Sequence, residues 1–515
     1  MKNIIKFTFL LIMATFTFSC DDFLDKTPLN NLDEKNFWKN ETDAIQGVTS
    51  VYAALQPSAA FGDYLLNDMY TPIADETAGG EINLGLQTAL SGKFRSKWTA
   101  FYLGINRANI AIERIPDIQM NSNLKKRLIA ECKFLRAFFY FNLIDFYGEV
   151  PLYLEEILIS KARETGRTPI ADVRIAILQD LEEAFPDLEY SYGTADLGRA
   201  TKAAAKALIG KTYLYAGEFD KAIPHFEDLV TNRTTYKCDL MPIYSDVFDY
   251  HNKNNKEVIF DVQYAGPKLN KGSQMDLYHG NLSGNGTGGQ NTSCPTVELL
   301  DSYLCTDGLP ISQSPLYDPD NRYENRDQRL DMTIMRPGSF YKGLEYTYPI
   351  LPGAYVQGVT RTGLMWRKYV VEDDGSAWAD DPQNYIVIRF ADILLMYAEA
   401  KNEARSTPDK SIYDAFNEVR LRAGVDGVTQ NSKSKDEFRQ LIRDERKIEL
   451  AGEGIYYSDI RRWKIAASEL NGKTFRNLRD DIYATRVFNE QKHYLWPIPQ
   501  TERDMNPNLT QNPNY

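Results

Sequence analysis

The chain has 515 residues, 43% of them apolar, which is length and apolar content enough for a substantial core and too much for a disordered polymer. Its 71 acidic against 59 basic side chains leave a formal charge of −12, the wrong sign for the basic footprint that nucleic acid requires. Five cysteines are too few for a disulfide-built scaffold at this length, and they leave a Cys294–Cys305 bridge open, because sequence does not show whether the two sulfurs approach.

At the N-terminus Lys2 and Lys6 precede the apolar run Phe7 to Phe18, the charged-then-apolar order of a secretory signal and too short to span a bilayer. The run ends at Ser19-Cys20, a small residue before a lone cysteine, where lipoprotein signals are cut and the cysteine is acylated. Residues 1–19 are therefore read as a signal peptide and Cys20 as a lipid anchor, with an ordinary signal peptide and an incidental cysteine as the alternative.

Along the next 210 or so residues (20–230) the pattern is helical. Ala44, Ile45, Val48, Tyr52 and Leu55 share one face from Glu41 to about Gln56, and Pro57 follows. Similar stripes run through Trp98, Phe101, Tyr102, Ile105, Ile112 and through Leu124, Leu128, Leu135, Phe139, Leu143, the second stopping at Gly148. Thr168-Pro169 reads as a cap and N1 proline ahead of Val173, Ile177 and Leu181. Ile209-Gly210, Tyr213, Gly217, Phe219, Ala222 and Phe226 then fit the spacing of a tetratricopeptide helix pair, with small residues where the helices approach. Between residues 231 and 384 the texture changes to glycine, proline, asparagine and tyrosine, including the run 284–289, so loops and short strands are expected, with Glu257–Val262 the clearest strand. From 385 to 515 helices return. Leu394, Leu395, Ala398, Ala400 followed by Tyr413, Ala415, Phe416, Val419 form a looser second pair, closed by Arg422-Ala423-Gly424. One pair cannot cover its own apolar faces, so a stack is implied. The fold expected is mainly α, a tetratricopeptide-like scaffold carrying a loop-rich second part with short strands.

No catalytic or metal constellation stands out. The four histidines, His225, His251, His279 and His493, lack helical zinc spacing, and neither a nucleophile elbow nor a phosphate-binding loop occurs. Asp75-Glu76 or Glu449 with Glu453 are the carboxylates a glycosidase reading would use. The charge alternation Asp444-Glu445-Arg446-Lys447-Ile448-Glu449, however, reads as a solvated or salt-bridged helix face, so no enzyme, cofactor or metal is expected.

Several segments together resemble the SusD/RagB family of nutrient-binding lipoproteins: Cys20–Asp25, Glu131–Ala137, Phe146–Leu152, Arg389–Ala400, Glu445–Gly454, Asp459–Trp463, and the ending Tyr494–Pro499 with Asn506–Leu509 and Gln511–Tyr515. The family more often has glycine where Asn514 stands, and asparagine also tolerates left-handed backbone. The acidic pair Asp21-Asp22 resembles the surface-export signal of such lipoproteins. The resemblance implies an outer-membrane, outward-facing protein that captures glycans, or peptides, for a SusC-like TonB-dependent transporter. Starch-binding members carry aromatic residues after an Asp-Glu near the position of Asp75-Glu76; here the sequence reads Ala78-Gly79-Gly80-Glu81-Ile82-Asn83, so no stacking ring carries over. The expected ligand contacts are then Asp75, Glu76, Glu81 and Asn83 toward hydroxyls, with Tyr278 or Trp378 as stacking faces. A protein-interaction scaffold is the alternative from a different class, since helical-repeat stacks often present a concave surface to protein partners.

Overall fold

Helix-forming segments begin and end where local chemistry permits. In the computed structural model, which describes residues 37–76, 80–280, 290–341, 344–346, 360–371 and 380–515, the nine longest helices are α1 (Glu41–Ala53), α2 (Gly92–Arg114), α3 (Ser122–Tyr147), α4 (Ile170–Ala184), α5 (Lys202–Tyr215), α6 (Phe219–Thr231), α7 (Phe390–Ala404), α8 (Lys410–Arg422) and α9 (Lys435–Glu449). Cys20, the glycine run 284–289 and Trp378 lie outside the described residues. Reciprocal capping boxes start α1, between Asn40 and Asp43, and α9, between Ser434 and Glu437. Glycines in the left-handed region follow α3 at Gly148 (φ +75°) and α8 at Gly424 (φ +68°), the two stops that the sequence marks. The cap expected at Thr168 is displaced by one residue. Pro169 takes the cap position of α4, while the Thr168 N–H is used instead to pair with the Val150 carbonyl.

Each helix packs on the next, α1 through α6 in order, and α6 then packs on α7, which holds α8 and α9. The chain between Thr231 and Phe390 therefore leaves the stack and returns to it, and the tetratricopeptide-like scaffold is continuous across the loop-rich part. Gly210 shows why the α5–α6 pair reads so clearly: a Cβ there would come within 2.6 Å of the Phe226 ring. Phe226 and Ala222 are fully buried, whereas Tyr213 is half-exposed and stacks on His225 at 5.8 Å.

The strands are short. β1 (Ala74–Glu76) pairs antiparallel with β3 (Ser293–Pro295), setting Asp75 opposite Cys294 and Glu76 opposite Ser293. β2 (Val258–Val262), the expected strand, pairs antiparallel with β4 (Tyr385–Arg389). No sequence signal marked β4, because it runs straight into α7 and Arg389 serves both as its last residue and as the helix cap. Cys132, Cys238, Cys294 and Cys305 are buried and free, so the 294–305 bridge left open by the sequence does not form.

Among the described residues two large apolar cores result, beside a small third cluster of Met335, Tyr346 and Met365. The larger runs through the helix stack, and a smaller one gathers Ile73, Leu299, Tyr303, Leu330, Trp366, Ile448 and Ile460 where the loop-rich part meets the C-terminal helices. Ionic contacts occupy the ground between them. Arg389 reaches Glu257 at 2.8 Å, Glu449 at 2.6 Å and Glu453 at 2.7 Å; Arg329 reaches Asp327, Glu445 and Glu449 at 2.6–2.7 Å; Lys368 reaches Glu453 at 3.0 Å. All these side chains are essentially fully buried. The 444–449 segment is thus salt-bridged, as one reading of its charge alternation had it, but Glu445, Arg446 and Glu449 face inward rather than to solvent. Compact reciprocal pairing is what makes that burial tolerable, since a lone buried charge costs several kcal/mol, on the order of the whole net stability of a domain.

Candidate functional site

Two carboxylate-rich places follow from the sequence, and the structure treats them oppositely. Burial alone would raise the Glu449 carboxyl, but the guanidinium groups of Arg422, Arg389 and Arg329 more than reverse this and hold it ionised far below the usual carboxylate range. Such a group can neither donate a proton at neutral pH nor reach a substrate. Glu453 is bound by Lys368 and Arg389 in the same sealed layer.

Asp75, Glu76, Glu81 and Asn83 divide into two roles. Asp75 and Asn83 point inward onto Arg486: its Nη2 donates to Asp75 Oδ1 (2.9 Å) and to the Ala74 carbonyl (2.8 Å), and its Nη1 donates to Asn83 Oδ1 (2.5 Å) and the Met69 carbonyl (2.8 Å). Both are buried, so each is occupied with holding the segment in place. The partly exposed Arg361 guanidinium stands 3.5 Å from the other Asp75 oxygen and also donates to the Tyr483 carbonyl. Glu76 and Glu81 face outward. Glu76 is half-buried, its carboxylate lying over Gly80, where any Cβ would strike it at 1.7 Å. Glu81 is exposed and accepts a hydrogen bond from Ser91 Oγ at 2.8 Å.

Lys93, in the first turn of α2, stands close enough to Glu76 for each to act on the other's charge. Its Nζ contacts the Tyr70 hydroxyl and sits 4.7 Å from the Tyr70 ring centre. Burial works against its charge, yet Tyr70, Asp63 and Glu76 together outweigh that and hold it as ammonium. Burial raises the Glu76 carboxyl while Lys93 pulls it back down, and Asp75 and Glu81 push in the other direction from Lys93. Tyr278 joins from the short helix Met275–His279: its hydroxyl donates to Gln274 Oε1 at 2.7 Å and lies 3.3 Å from Ser58 Oγ. Its phenol, raised by burial, is within electrostatic range of Asp63 and Lys93. One step deeper, Lys97 is fully buried, donating to the Ala60 carbonyl at 2.8 Å and standing 3.4 Å from Asp63.

The structure therefore sets Glu76 and Tyr278 within electrostatic range of one ammonium, with Glu81 acting on Glu76 from the exposed side, turns Asp75 and Asn83 to a supporting position on Arg486, and leaves Trp378 outside the described residues. Lys93, Tyr70, Asp63 and Arg361 are the members that sequence reasoning missed. A signal for Lys93 existed: the first turn of α2 carries Lys93 and Arg95 and no acid, against the preference set by the helix dipole. Alternating acceptors, donors and half-exposed rings of this kind suit hydroxyl-rich ligands, whose OH groups donate and accept and whose C–H faces lie on aromatic rings.

Among the described residues no group of three or more His, Cys, Asp or Glu side chains could hold a metal ion, and no helix is long and apolar enough to cross a membrane.

Comparison with known proteins gives a consistent picture. The family described as "SusD family" matches residues 256–515, and the one described as "Starch-binding associating with outer membrane" matches residues 22–214. A SusD-like protein of Formosa agariphila is 25% identical, covering 99% of this chain and 97% of its own. A crystal structure of a SusD-like carbohydrate-binding protein from Bacteroides fragilis superposes with a TM-score of 0.84 at 29% identity, over 92% of this chain and 100% of that one. A laminarin-binding SusD-like protein superposes with a TM-score of 0.72 at 25% identity, over 93% of this chain and 100% of that one.

Proposed function

Since the chain belongs to the SusD family, we propose that it is a glycan-capturing lipoprotein of the outer membrane, tethered through Cys20, facing the exterior and passing its ligand to a SusC-like TonB-dependent transporter. The observation that supports the reading is a partly exposed Lys93 with Glu76 and Tyr278 within electrostatic range and the exposed Glu81 acting on Glu76, polar groups with partly unspent hydrogen-bonding capacity beside the partly exposed Tyr278 ring. In this reading Glu76, Glu81 and Lys93 bind sugar hydroxyls, Tyr278 and Trp378 supply stacking faces, and Asp75 and Asn83 fix the loop through Arg486. The protein binds without cleaving. A tether keeps the ligand's effective concentration high beside a barrel that it can cover as a lid, so even a weak site serves uptake.

The carbohydrate-binding and laminarin-binding relatives support a glycan over other ligands, and the absence of a ring after Glu76 argues for a glycan other than starch. The test is a binding screen of the purified protein against polysaccharides, oligosaccharides and peptides, by gel retardation and calorimetry. A saturable glycan signal that weakens in Lys93→Ala and in Tyr278→Ala, and separately in Trp378→Ala, is the expected result. A peptide-only signal would replace the ligand class while keeping the uptake role. Silence to every ligand alongside tight binding of a protein partner would replace the proposal with an interaction scaffold.

A further inference from the structure

A second concavity, sharing no residue with the Lys93 site, opens between α3, α4 and α5 and the segment 461–464, with Tyr494 and Leu495 closing one side. Its volume is about 190 Å³. At roughly 30 Å³ per water molecule this is room for about six waters, or for one sugar ring rather than a chain. The lining is basic within a chain whose overall charge is −12.

Bookkeeping of the charges separates spent from unspent groups. Arg461 donates to the Asp145 carbonyl at 2.6 Å and its carboxylate at 2.7 Å, and Ser458 Oγ donates to the same carboxylate at 2.6 Å, so Asp145 and Arg461 neutralise one another. Arg462 is held bidentately by Glu399 and also by Asp459. Arg174 and Lys464 remain. Among the described residues neither side chain has a hydrogen-bond or salt-bridge partner. Arg174 is half-buried in the wall with Glu218 as its nearest acidic influence, and Glu218 is itself paired to Lys221. Lys464 sits at the exposed rim with its Nζ 4.4 Å from the centre of the Tyr494 ring. Burial lowers both cations, and Arg461 adds like-charge repulsion on Lys464. An anion would relieve both effects at once. Tyr215 and Tyr494 supply ring surface beside the two cations.

We propose that this cavity is a second binding site, for a single sugar-sized ring bearing a carboxylate, the hexuronic acid class. A guanidinium fork matches a carboxylate in two parallel hydrogen bonds, the rim ammonium adds a point charge, and the tyrosines face the C–H side of the ring. The site takes one residue of an acidic glycan or a free uronate, and its occupancy is independent of the Lys93 site.

The experiment is a calorimetric titration of the purified protein with D-glucuronate, with D-glucose as the neutral ring and inorganic sulfate as the ringless anion. Glucuronate is expected to bind saturably, at least about tenfold more tightly than either control, as one charge-assisted contact warrants. Arg174→Ala and Lys464→Ala are each expected to weaken it about tenfold or more, Arg174→Lys to restore part of the loss, and Lys93→Ala to leave it unchanged. Neither side chain makes a hydrogen bond or ion pair among the described residues, and Lys464 only rests on the Tyr494 ring, so melting temperatures should barely move, and Arg174→Gln is the substitute if one does. Glucose binding equal to glucuronate, sulfate binding as tightly, no glucuronate binding at all, or indifference to both substitutions would each overturn the proposal. None of these outcomes touches the neutral-glycan test of the Lys93 site.

Discussion

Arg389 and Lys93 are both cations surrounded by carboxylates, and their neighbourhoods differ in what is left over. Around Arg389 every group is buried and matched: Glu257, Glu449 and Glu453 close on it within 2.8 Å, and Glu449 takes further bonds from Arg329 and Arg422. Around Lys93 the ammonium, Glu76 and Asp63 are partly exposed, with the nearest contact the hydroxyl of the buried Tyr70 and the two carboxylates acting from farther away. A closed network sets the position of chain segments distant in sequence; an open one keeps capacity for something that arrives from solution. Two of the segments that resemble the family, Arg389–Ala400 and Glu445–Gly454, supply much of the closed network, so these recognisable residues carry the scaffold.

That contrast can be broken most forcefully by removing Arg389. Arg389→Met leaves Glu257, Glu449 and Glu453 buried with fewer partners and is expected to cost about 3–5 kcal/mol, read as a fall in the urea midpoint. A loss below about 1 kcal/mol would mean that the layer is not the joint between the two cores. Gly210→Val tests the scaffold without touching any charge. Forcing a Cβ into the Phe226 ring is expected to cost about 1–3 kcal/mol in the same assay.

On the open side, Lys93→Ala is expected to weaken glycan binding about tenfold, some 1.4 kcal/mol, with little change in the urea midpoint, because the Lys93 side chain and Glu76 are partly solvated. An equal loss of stability would place Lys93 with the scaffold instead.

A pH series sharpens the comparison at the edge of the closed layer. Asp68, whose Oδ2 accepts from the Gly452 and Gly454 N–H groups, is raised to about 7 chiefly by burial. A carboxyl raised on folding binds its proton more tightly in the folded state, so its contribution to stability is full below about pH 4 and is lost as pH rises toward 7. Asp261, raised to about 6, and Glu298, raised to about 7, both mainly by burial, act in the same sense. Asp68→Asn is expected to flatten part of this slope, its stability relative to the parent rising by on the order of 1 kcal/mol between the ends of that window. An unchanged slope would show that Asp68 binds its proton equally tightly in the folded and unfolded chain.

Much of the scaffold was legible in the sequence, because helix faces repeat at 3.6 residues and because Gly148, Gly210 and Gly424 mark stops and close approaches that only glycine allows. Asn514, at φ +65°, adopts the left-handed backbone that its place in the C-terminal motif implied. The strand Tyr385–Arg389 escaped notice because it ends inside a helix cap, and the inward turn of Glu445 and Glu449 escaped because charge alternation carries no information on depth. The site was legible in part. Glu76, Glu81 and Tyr278 were chosen for their chemistry; the structure puts Glu76 and Tyr278 within electrostatic range of Lys93 and Glu81 within range of Glu76, and nothing in the sequence relates Tyr278 to Glu76, some two hundred residues away. Asp75 and Asn83 were chosen as polar loop residues, and which polar residues of a loop face inward depends on a partner, Arg486, some four hundred residues away.

The most direct test of the central claim, that the open group around Lys93 rather than the sealed layer holds the ligand, is calorimetric titration of the protein and of Lys93→Ala and Tyr278→Ala with whichever oligosaccharide the panel identifies. The account predicts saturable binding that falls about tenfold in each variant while urea midpoints stay put. Full-strength glycan binding in both variants would contradict it.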